Sequence, residues 1–338
     1  MDIEIKVITM ETASEQETIL SGREESANKG VSLHEDHVFL MGRPPLGEAL
    51  GFLKTQSIGD RNTDIKLLAD EWREANDHVK GLIKTEGNIC SSVDTKPIPD
   101  KIRNRIDKVY ADPIFNKSFN VLPCEIRLVK LDNLVVYQKT VNLDHIRRLK
   151  KKLSSNPTDE EIFDLCLSSN QNPPPVHTAW LSNNVIQFTS LSNDLRFLEG
   201  EALESDNVSW HCPGGTTKGC MGLFVGYGAG YVNVISVNGR LILNNGMHRA
   251  YTLRSLGIEY MPAIVQNVTR EEEIPVVFNK PEETRKDCID SNRPPVLKDF
   301  FDSELMKHIK MTSKVRLVTV GWNIEQRDIP IGNHGMGV

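Results

Sequence analysis

The residues from Asn245 to Arg249 read Asn-Gly-Met-His-Arg and stand where a helix is predicted to begin. A helix start carries partial positive charge, so a histidine and an arginine there would repel it, at roughly 0.3–1 kcal/mol per charge. The free N–H groups of a first helical turn also form an anion site. An anion held between this turn, His248 and Arg249 would replace the repulsion by charge-assisted hydrogen bonds. We therefore predict a phosphate site here. The alternative is that both side chains point into solvent.

The other residues of this segment fit the same interpretation. Gly246 lets backbone approach a ligand closely, and Asn244 and Asn245 are residue types that cap helix N-termini well. Met247 either belongs to the phosphate-binding turn or packs the helix start. The predicted phosphate-binding residues are therefore Asn245, Gly246, Met247, His248 and Arg249.

A β-hairpin and a helix are predicted to position this segment. Two β-type runs in "YVNVISVNGRLILNN" flank Asn238-Gly239, the strongest short-range hairpin dipeptide. A helix from about Met247 to Leu256 follows, and Gly257 is placed to end it. The stretch "MPAIVQNV" then predicts a further strand.

The region before the hairpin predicts two strands and two helices. "CEIRLVKLDNLVVYQ" holds two β-type runs, and "NLDHIRRLKKKL" predicts an amphipathic helix. The basic face of that helix is either solvated or turned towards nucleotide or nucleic acid; it consists of Arg147, Arg148, Lys150, Lys151 and Lys152. Thr158 and Glu161 have capping-box spacing ahead of the second helix.

The order hairpin strand, Asn-Gly-Met-His-Arg, helix, glycine, strand resembles the phosphate-binding segment of the ParB/sulfiredoxin superfamily. The resemblance covers roughly residues 121–268. It implies an α/β fold, a small mixed sheet with surrounding helices. It also implies a nucleoside triphosphate, ATP or CTP, bound with Mg²⁺, and it places Gln138 and Lys139 beside the phosphate loop. Lys139 would contact a terminal phosphate as a point charge, or would be a surface lysine at a strand end.

Departures from the family pattern narrow the expected chemistry. Sulfiredoxins have a cysteine where this chain has Met247, and a thioether cannot act as their thiolate nucleophile. The free-serine kinases have Asp-Gly-His-His-Arg, whereas Asn245 here carries no carboxylate. The base could instead be His248, with a pKa lowered by the helix start, or an acid such as Glu125 or Asp144. Partition-type DNA binding is not expected, because about 70 residues follow Val268 and their last third reads as strand.

We therefore expect a nucleotide-binding enzyme that hydrolyses a nucleoside triphosphate or transfers a phosphoryl group, with His248 and Arg249 in catalysis. The alternatives are a non-catalytic, nucleotide-gated interaction module and, more weakly, a nucleic-acid-processing protein. A net charge of −6 and a pI near 5.9 argue against nucleic acid and acidic membranes as partners. Six scattered cysteines and no recognisable signal peptide predict a cytoplasmic protein with reduced thiols. The acceptor and the oligomeric state stay open.

Composition and periodicity predict four segments: a flexible lead-in at 1–36, a mainly helical domain at 37–118, a domain at 119–268 and a C-terminal extension at 269–338. The resemblance implies that the domain at 119–268 binds the nucleotide. Within the helical domain, one buried helix face is predicted from Leu68, Trp72, Ala75, Val79 and Leu82. In the extension, "RPPVLKDFFDSELMKHI" predicts a helix and "KVRLVTVGW" a strand.

Two further stretches could suggest metal sites. The loop "HCPGGTTKGC" contains His211, Cys212 and Cys220, but it lacks the Cys-x-x-Cys pairs of structural zinc sites, and we interpret it as a lid. "HEDH" at His34–His37 has ligand residue types in a stretch with little predicted structure. No metal site is predicted at either.

Overall fold

The computed structural model describes residues 6–7, 32–168, 174–204 and 214–328 of the chain. These residues contain both helices and strands, and the strands form several small mixed or antiparallel sheets. The predicted α/β class is therefore confirmed. Most of the predicted lead-in, with His211 and Cys212 of the predicted lid, lies outside the described residues. The segment boundaries predicted at residues 36, 118 and 268 stay predictions.

The strands are β1 (Lys6–Val7), β2 (His34–Leu40), β3 (Thr95–Lys96), β4 (Cys124–Lys130), β5 (Thr140–Asn142), β6 (His177–Ser182), β7 (Val185–Ser190), β8 (Leu195–Leu203), β9 (Cys220–Tyr227), β10 (Asn233–Val237), β11 (Arg240–Asn245), β12 (Tyr260–Asn267), β13 (Met306–Thr312) and β14 (Arg316–Gly321). The α-helices are α1 (Leu46–Gln56), α2 (Ile65–Glu86), α3 (Arg103–Tyr110), α4 (Pro113–Ser118), α5 (Leu143–Lys150), α6 (Asp159–Leu167), α7 (Met247–Ser255), α8 (Ile274–Val277) and α9 (Glu282–Asp290). Single 3₁₀ turns occur at Asp100–Ile102, Glu271–Glu273 and Leu297–Phe301.

Contacts divide the chain into two compact units. The larger comprises Val31–Gln171 and Ala229–Ser313, and the smaller comprises Met1–Gly30, Asn172–Gly228 and Lys314–Val338. The larger unit has a five-stranded mixed sheet in the order β11-β10-β12-β4-β3, in which β10 and β12 are parallel. It also has a three-stranded antiparallel sheet in the order β13-β2-β5.

The hairpin and helix that surround the predicted phosphate segment form as the sequence predicts. Asn238 and Gly239 adopt positive φ angles of 49° and 76° between β10 and β11, as a tight hairpin turn requires. Helix α7 ends at Gly257, whose φ of 81° fits the left-handed residue of a Schellman motif. The N–H of Ile258 donates to the carbonyl of Leu253 at 3.1 Å and completes that motif.

Other predicted elements are confirmed by burial and capping. Helix α2 buries Leu68, Ala75 and Val79, while Trp72 and Leu82 pack partly buried against the same core. Helix α6 begins with the complete capping box of Thr158 and Glu161, and the strand predicted in "KVRLVTVGW" is β14.

Three sequence predictions of local structure are wrong. "RPPVLKDFFDSELMKHI" does not form an α-helix: a 3₁₀ turn, Leu297–Phe301, precedes strand β13. The stretch "HEDH" at 34–37, where little structure is predicted, begins β2, which pairs with β13 over seven positions. The run "LVVYQ" makes only two isolated bridges, both at Val135, to Ile242 and to Val296. In the first two cases the pairing of β2 with β13, two strands distant in sequence, decides the structure. In the third case the run lacks an extended pairing of this kind.

The smaller unit is built from strands alone in its described residues. Its four-stranded antiparallel sheet has the order β1-β14-β7-β6, and β8 pairs with β9 as a separate hairpin. Leu195 of that hairpin packs with Val318 and Val320 of the sheet in a small core.

Candidate phosphate-binding site at the start of helix α7

A left-handed glycine joins β11 to α7. Gly246 has φ 113° and ψ 17° at the N-cap position. A Cβ atom on this residue would lie 2.8 Å from Cγ2 of Val232, closer than real Cβ contacts. Both the backbone angle and the space therefore require glycine here, and the chain turns sharply into the helix.

The first turn of α7 has N–H groups without acceptors. The first helical hydrogen bond runs from the N–H of Ala250 to the carbonyl of Gly246 at 2.9 Å. Among the residues that the structure describes, no side chain caps the helix, and its first turn has no acidic residue. In the described part of the chain, neither the Met247 nor the His248 N–H meets an acceptor. Such a helix start can donate hydrogen bonds to an anion.

The two asparagines before the helix do not cap it, contrary to their predicted role. Nδ2 of Asn245 donates to the carbonyl of Tyr231 at 2.9 Å, and Nδ2 of Asn244 donates to Oδ1 of Asn233 at 3.0 Å. The Asn244 amide thus holds β11 to β10, and the Asn245 amide holds it to the segment just before β10. At position 245 an aspartate would point an acceptor at a carbonyl, so the chain's departure from the kinase pattern has a structural reason.

Arg249 lies against backbone carbonyls. Its Nη1 donates to the carbonyl of Gly230 and, at 3.2 Å, to that of Cys166. Cys166 is in the last turn of α6, where carbonyls have no partner within the helix and the dipole is negative; its carbonyl also accepts the N–H of Val232 at 2.9 Å. The C-terminus of α6 therefore offsets the cost of a cation at the start of α7.

His248 is held neutral inside a cluster of basic groups. Its Nε2 accepts a hydrogen bond from the N–H of Asn142 at 3.3 Å, which leaves the ring hydrogen on Nδ1. Its ring meets that of His145 edge-on, with centroids 4.8 Å apart. Burial and, after it, the charges of the nearby His145, His37 and Arg249 together lower the pKa of His248 to about 3.

His145 and His37 surround His248 but carry no predicted role. His145 lies in α5, where burial and then Arg148 lower its pKa to about 4. His37 lies in β2, with its Nε2 3.7 Å from Oε2 of Glu35, and burial lowers its pKa as well. The sequence offered only a weak indication of this cluster, because the three residues come from separate elements.

The other predicted site residues lie near β5. The Lys139 ammonium pairs with the Glu48 carboxylate of α1, and both side chains are about half exposed. Gln138 is half-buried beside it. Three residues after Lys139, Asn142 caps α5 through the His145 N–H at 2.9 Å and also contacts His248. Strand β5 thus links the Lys139 region to the start of α7.

Both candidate acids are engaged elsewhere. Oδ2 of Asp144 accepts the N–H of Asp36 at 2.8 Å, and this bond, with Arg147, holds the Asp144 pKa below its usual value. Glu125 lies in β4 with its Oε2 3.9 Å from Nη1 of Arg127.

A surface cavity of about 170 Å³ adjoins the carbonyls that Arg249 binds. Its lining consists of Val109, Phe163, Leu167 and Tyr231 with Arg105, Lys108, Asp112, Asp164 and Ser168. The hydroxyl of Tyr231 donates to Oδ2 of Asp112 at 2.6 Å, which fixes one wall.

Among the residues described, no group of three or more His, Cys, Asp and Glu side chains could hold a metal ion. Cysteines 90, 124, 166, 220 and 288 are free thiols. Within the part of the chain that the structure describes, no helix has both the length and the apolar character needed to cross a membrane. No protein-family model, curated protein or solved structure matches this chain.

Proposed function

We propose that this chain is a nucleotide-binding enzyme similar to the ParB/sulfiredoxin superfamily, and that the start of α7 binds a phosphate group of ATP or CTP. One observation carries the proposal: the N–H groups of Met247 and His248 lack acceptors in the described structure and follow the left-handed Gly246. Phosphate oxygens would accept these N–H groups and experience the positive end of the helix dipole. Mg²⁺ would arrive bound to the phosphates, as is usual for this ion.

In this proposal the side chains divide the work. Arg249 holds the carbonyls of Gly230 and Cys166 and contributes positive charge from the wall of the site. Lys139 would exchange Glu48 for a terminal phosphate. Phosphoryl transfer depends mainly on positioning and charge neutralisation, which these groups supply.

The environment of His248 supports a second candidate function, a nucleotide-gated module without turnover. A histidine with a pKa of about 3 is a weak base near neutral pH, so it is poorly suited to accept a proton from an attacking oxygen. The side chain of Asn245 is an amide, which does not act as a base, and the Asp144 carboxylate accepts hydrogen bonds from Asp36 and Arg147. We therefore assign His248 to phosphate positioning, and a base for turnover must come from elsewhere.

The experiment for the nucleotide site is a thermal-shift panel of ATP, ADP, CTP and GTP, each with and without Mg²⁺. A ligand present at 100 times its Kd stabilises the folded state by about 2.7 kcal/mol, which such a panel detects. We expect at least one triphosphate to raise the Tm. No shift with any of them would contradict the nucleotide site.

Phosphate release then separates the two functions. If the chain is an enzyme, it releases phosphate from the nucleotide that shifts the Tm, or transfers the phosphate to a hydroxyl acceptor that is added to the assay. The interaction module binds the same nucleotide without release. With either function, we place this chain in the cytoplasm, where nucleoside triphosphates and free thiols occur together.

A further inference from the structure

Strand β6 forms an edge of the four-stranded sheet in the smaller unit. Within the described residues it pairs only with β7, in a register that sets Thr178 opposite Phe188 and Trp180 opposite Ile186. Among the strands that the structure describes, none pairs with the other side of β6, whose backbone N–H and C=O groups can pair with another strand.

This edge lacks the charged side chains that usually protect such strands. Between Asp164 and Asp194 the sequence contains no Asp, Glu, Lys or Arg. Natural edge strands are commonly shielded by charges, above all by lysine, because a charge opposes pairing with a second strand. Pro174 and Pro175 end the edge on one side, and a bulge between Trp180 and Ser182 ends it on the other. The stretch open to pairing is therefore centred on Thr178.

Exposed apolar side chains accompany the uncharged edge. Trp180 is 64% exposed, and its ring meets that of Trp322 edge-on with centroids 5.7 Å apart. Trp180 is opposite Ile186, which is itself opposite the buried Val320, so Trp180 extends the core face of the sheet to the edge. Leu181 and Ile324 are exposed as well, by 49% and 75%.

We propose that β6 pairs antiparallel with β6 of a second copy of this chain, around a two-fold axis near Thr178. Such a contact joins two copies of the four-stranded sheet into one and brings the same residues of both chains together. An uncharged strand is complementary to itself, whereas a charged edge would repel its own copy or require a partner of opposite charge. The exposed Trp180 side chains are covered at the same contact.

The test is the molar mass of the full chain, measured by light scattering after size exclusion at several concentrations. We expect the wild type to have twice the chain mass of 38.0 kDa. Thr178→Lys and Thr178→Glu each set like charges opposite one another, and we expect either to weaken the dimer by about tenfold or more. An equimolar mixture of the two variants pairs opposite charges and should return to twice the chain mass.

A matched control places the lysine charge on β7, the neighbour of the edge strand β6. Gln187→Lys lies on β7, so the two added charges are separated by three strand spacings, about 14 Å, which is beyond the Debye length in buffer. This variant should remain dimeric, and circular dichroism of every variant confirms that the fold is retained. A wild type that stays at the mass of one chain overturns the proposal. So does a dimer that both Thr178 variants leave unchanged, or a mixture that fails to recover it.

Discussion

Two neighbouring helices of the larger unit begin in opposite ways. Helices α6 and α7 both have nine residues. Helix α6 begins with a complete capping box, and its first three residues are all acidic. Helix α7 begins with a left-handed glycine and has arginine at the third position, where α6 has Glu161, and no side chain in the described ranges caps it.

The difference shows how a chain can keep one helix start available for a ligand. The N–H groups and dipole of α6 are satisfied by its own Thr158 and Glu161. In the described part of the chain the Met247 and His248 N–H groups of α7 have no such acceptor, and the Arg249 side chain turns to the carbonyl end of α6 instead. The carbonyl end of α6 thus stabilises the positive charge of Arg249, which the start of α7 does not stabilise.

The largest effect we expect comes from the turn that opens α7. Gly246→Ala should lower the free energy of unfolding by about 2–4 kcal/mol, since it adds a left-handed alanine and a clash with Val232. Gly257→Ala is the control: its φ is also positive, but no atom lies within 4 Å of an added Cβ. It should cost only about 1 kcal/mol, measured by urea unfolding. Equal losses would show that Val232 does not crowd the turn.

Restoring the acid of the kinase pattern should harm this chain. Asn245→Asp removes the donor to the carbonyl of Tyr231 and leaves two acceptors facing each other, at a cost of about 2–3 kcal/mol. Asn184→Asp breaks a comparable amide-to-carbonyl bond at the exposed turn before β7, to Trp322, and should cost under about 1 kcal/mol because water replaces it. A stable, phosphate-releasing Asn245→Asp protein would contradict our explanation of the asparagine.

Acid should act on the start of α7 through its neutral histidines. His248 and His145 have folded pKa values of about 3 and 4, below the ordinary 6.5, so the unfolded chain binds more protons once the pH falls below 6.5. Their contribution is complete above that pH and is lost progressively down to about pH 3. Between about pH 7.5 and pH 5 each should cost roughly 2 kcal/mol of stability.

The measurement is urea unfolding at both pH values for the wild type and His145→Gln. The variant should lose roughly half of the histidine-dependent difference between the two. An unchanged difference would mean that His145 is not held neutral in the folded chain.

The smallest effect is expected where the helix start is self-sufficient. Thr158→Ala removes the cap of α6 and should cost about 1 kcal/mol. It should leave nucleotide binding unchanged, because the start of α6 is not the proposed site. Loss of nucleotide binding in this variant would move the site towards α6.

The sequence predicted the local structure around the site well and the long-range contacts poorly. The Asn238-Gly239 hairpin, the end of α7 at Gly257 and the capping box of Thr158 depend on neighbouring residues, and all are confirmed. The strand at 306–312 was mistaken for a helix, because its partner β2 lies about 270 positions away and was not predicted.

The candidate site shows the same limit. The sequence drew attention to His248 and Arg249 because their charges oppose the helix dipole, yet the groups that resolve the conflict come from other elements. The carbonyl of Cys166 and the N–H of Asn142 belong to segments distant in sequence, and nothing in the residue types near α7 indicates them. Local chemistry indicated a candidate segment, while tertiary contacts determined what each of its side chains binds.

The central claim is that the start of α7 binds an anion. Replacing Arg249 of α7 by glutamate, the residue that α6 has at its third position, tests this claim most directly. Arg249→Glu and Arg249→Gln both remove the guanidinium from the carbonyls of Gly230 and Cys166, but only Glu places a carboxylate beside the free N–H groups. Binding of the nucleotide selected by the thermal-shift panel is measured by calorimetry for both variants and the wild type. We predict that Gln weakens binding by about 10- to 100-fold and that Glu abolishes it. Equal affinities for Gln and Glu, or no binding by the wild type, would contradict an anion site at the start of α7.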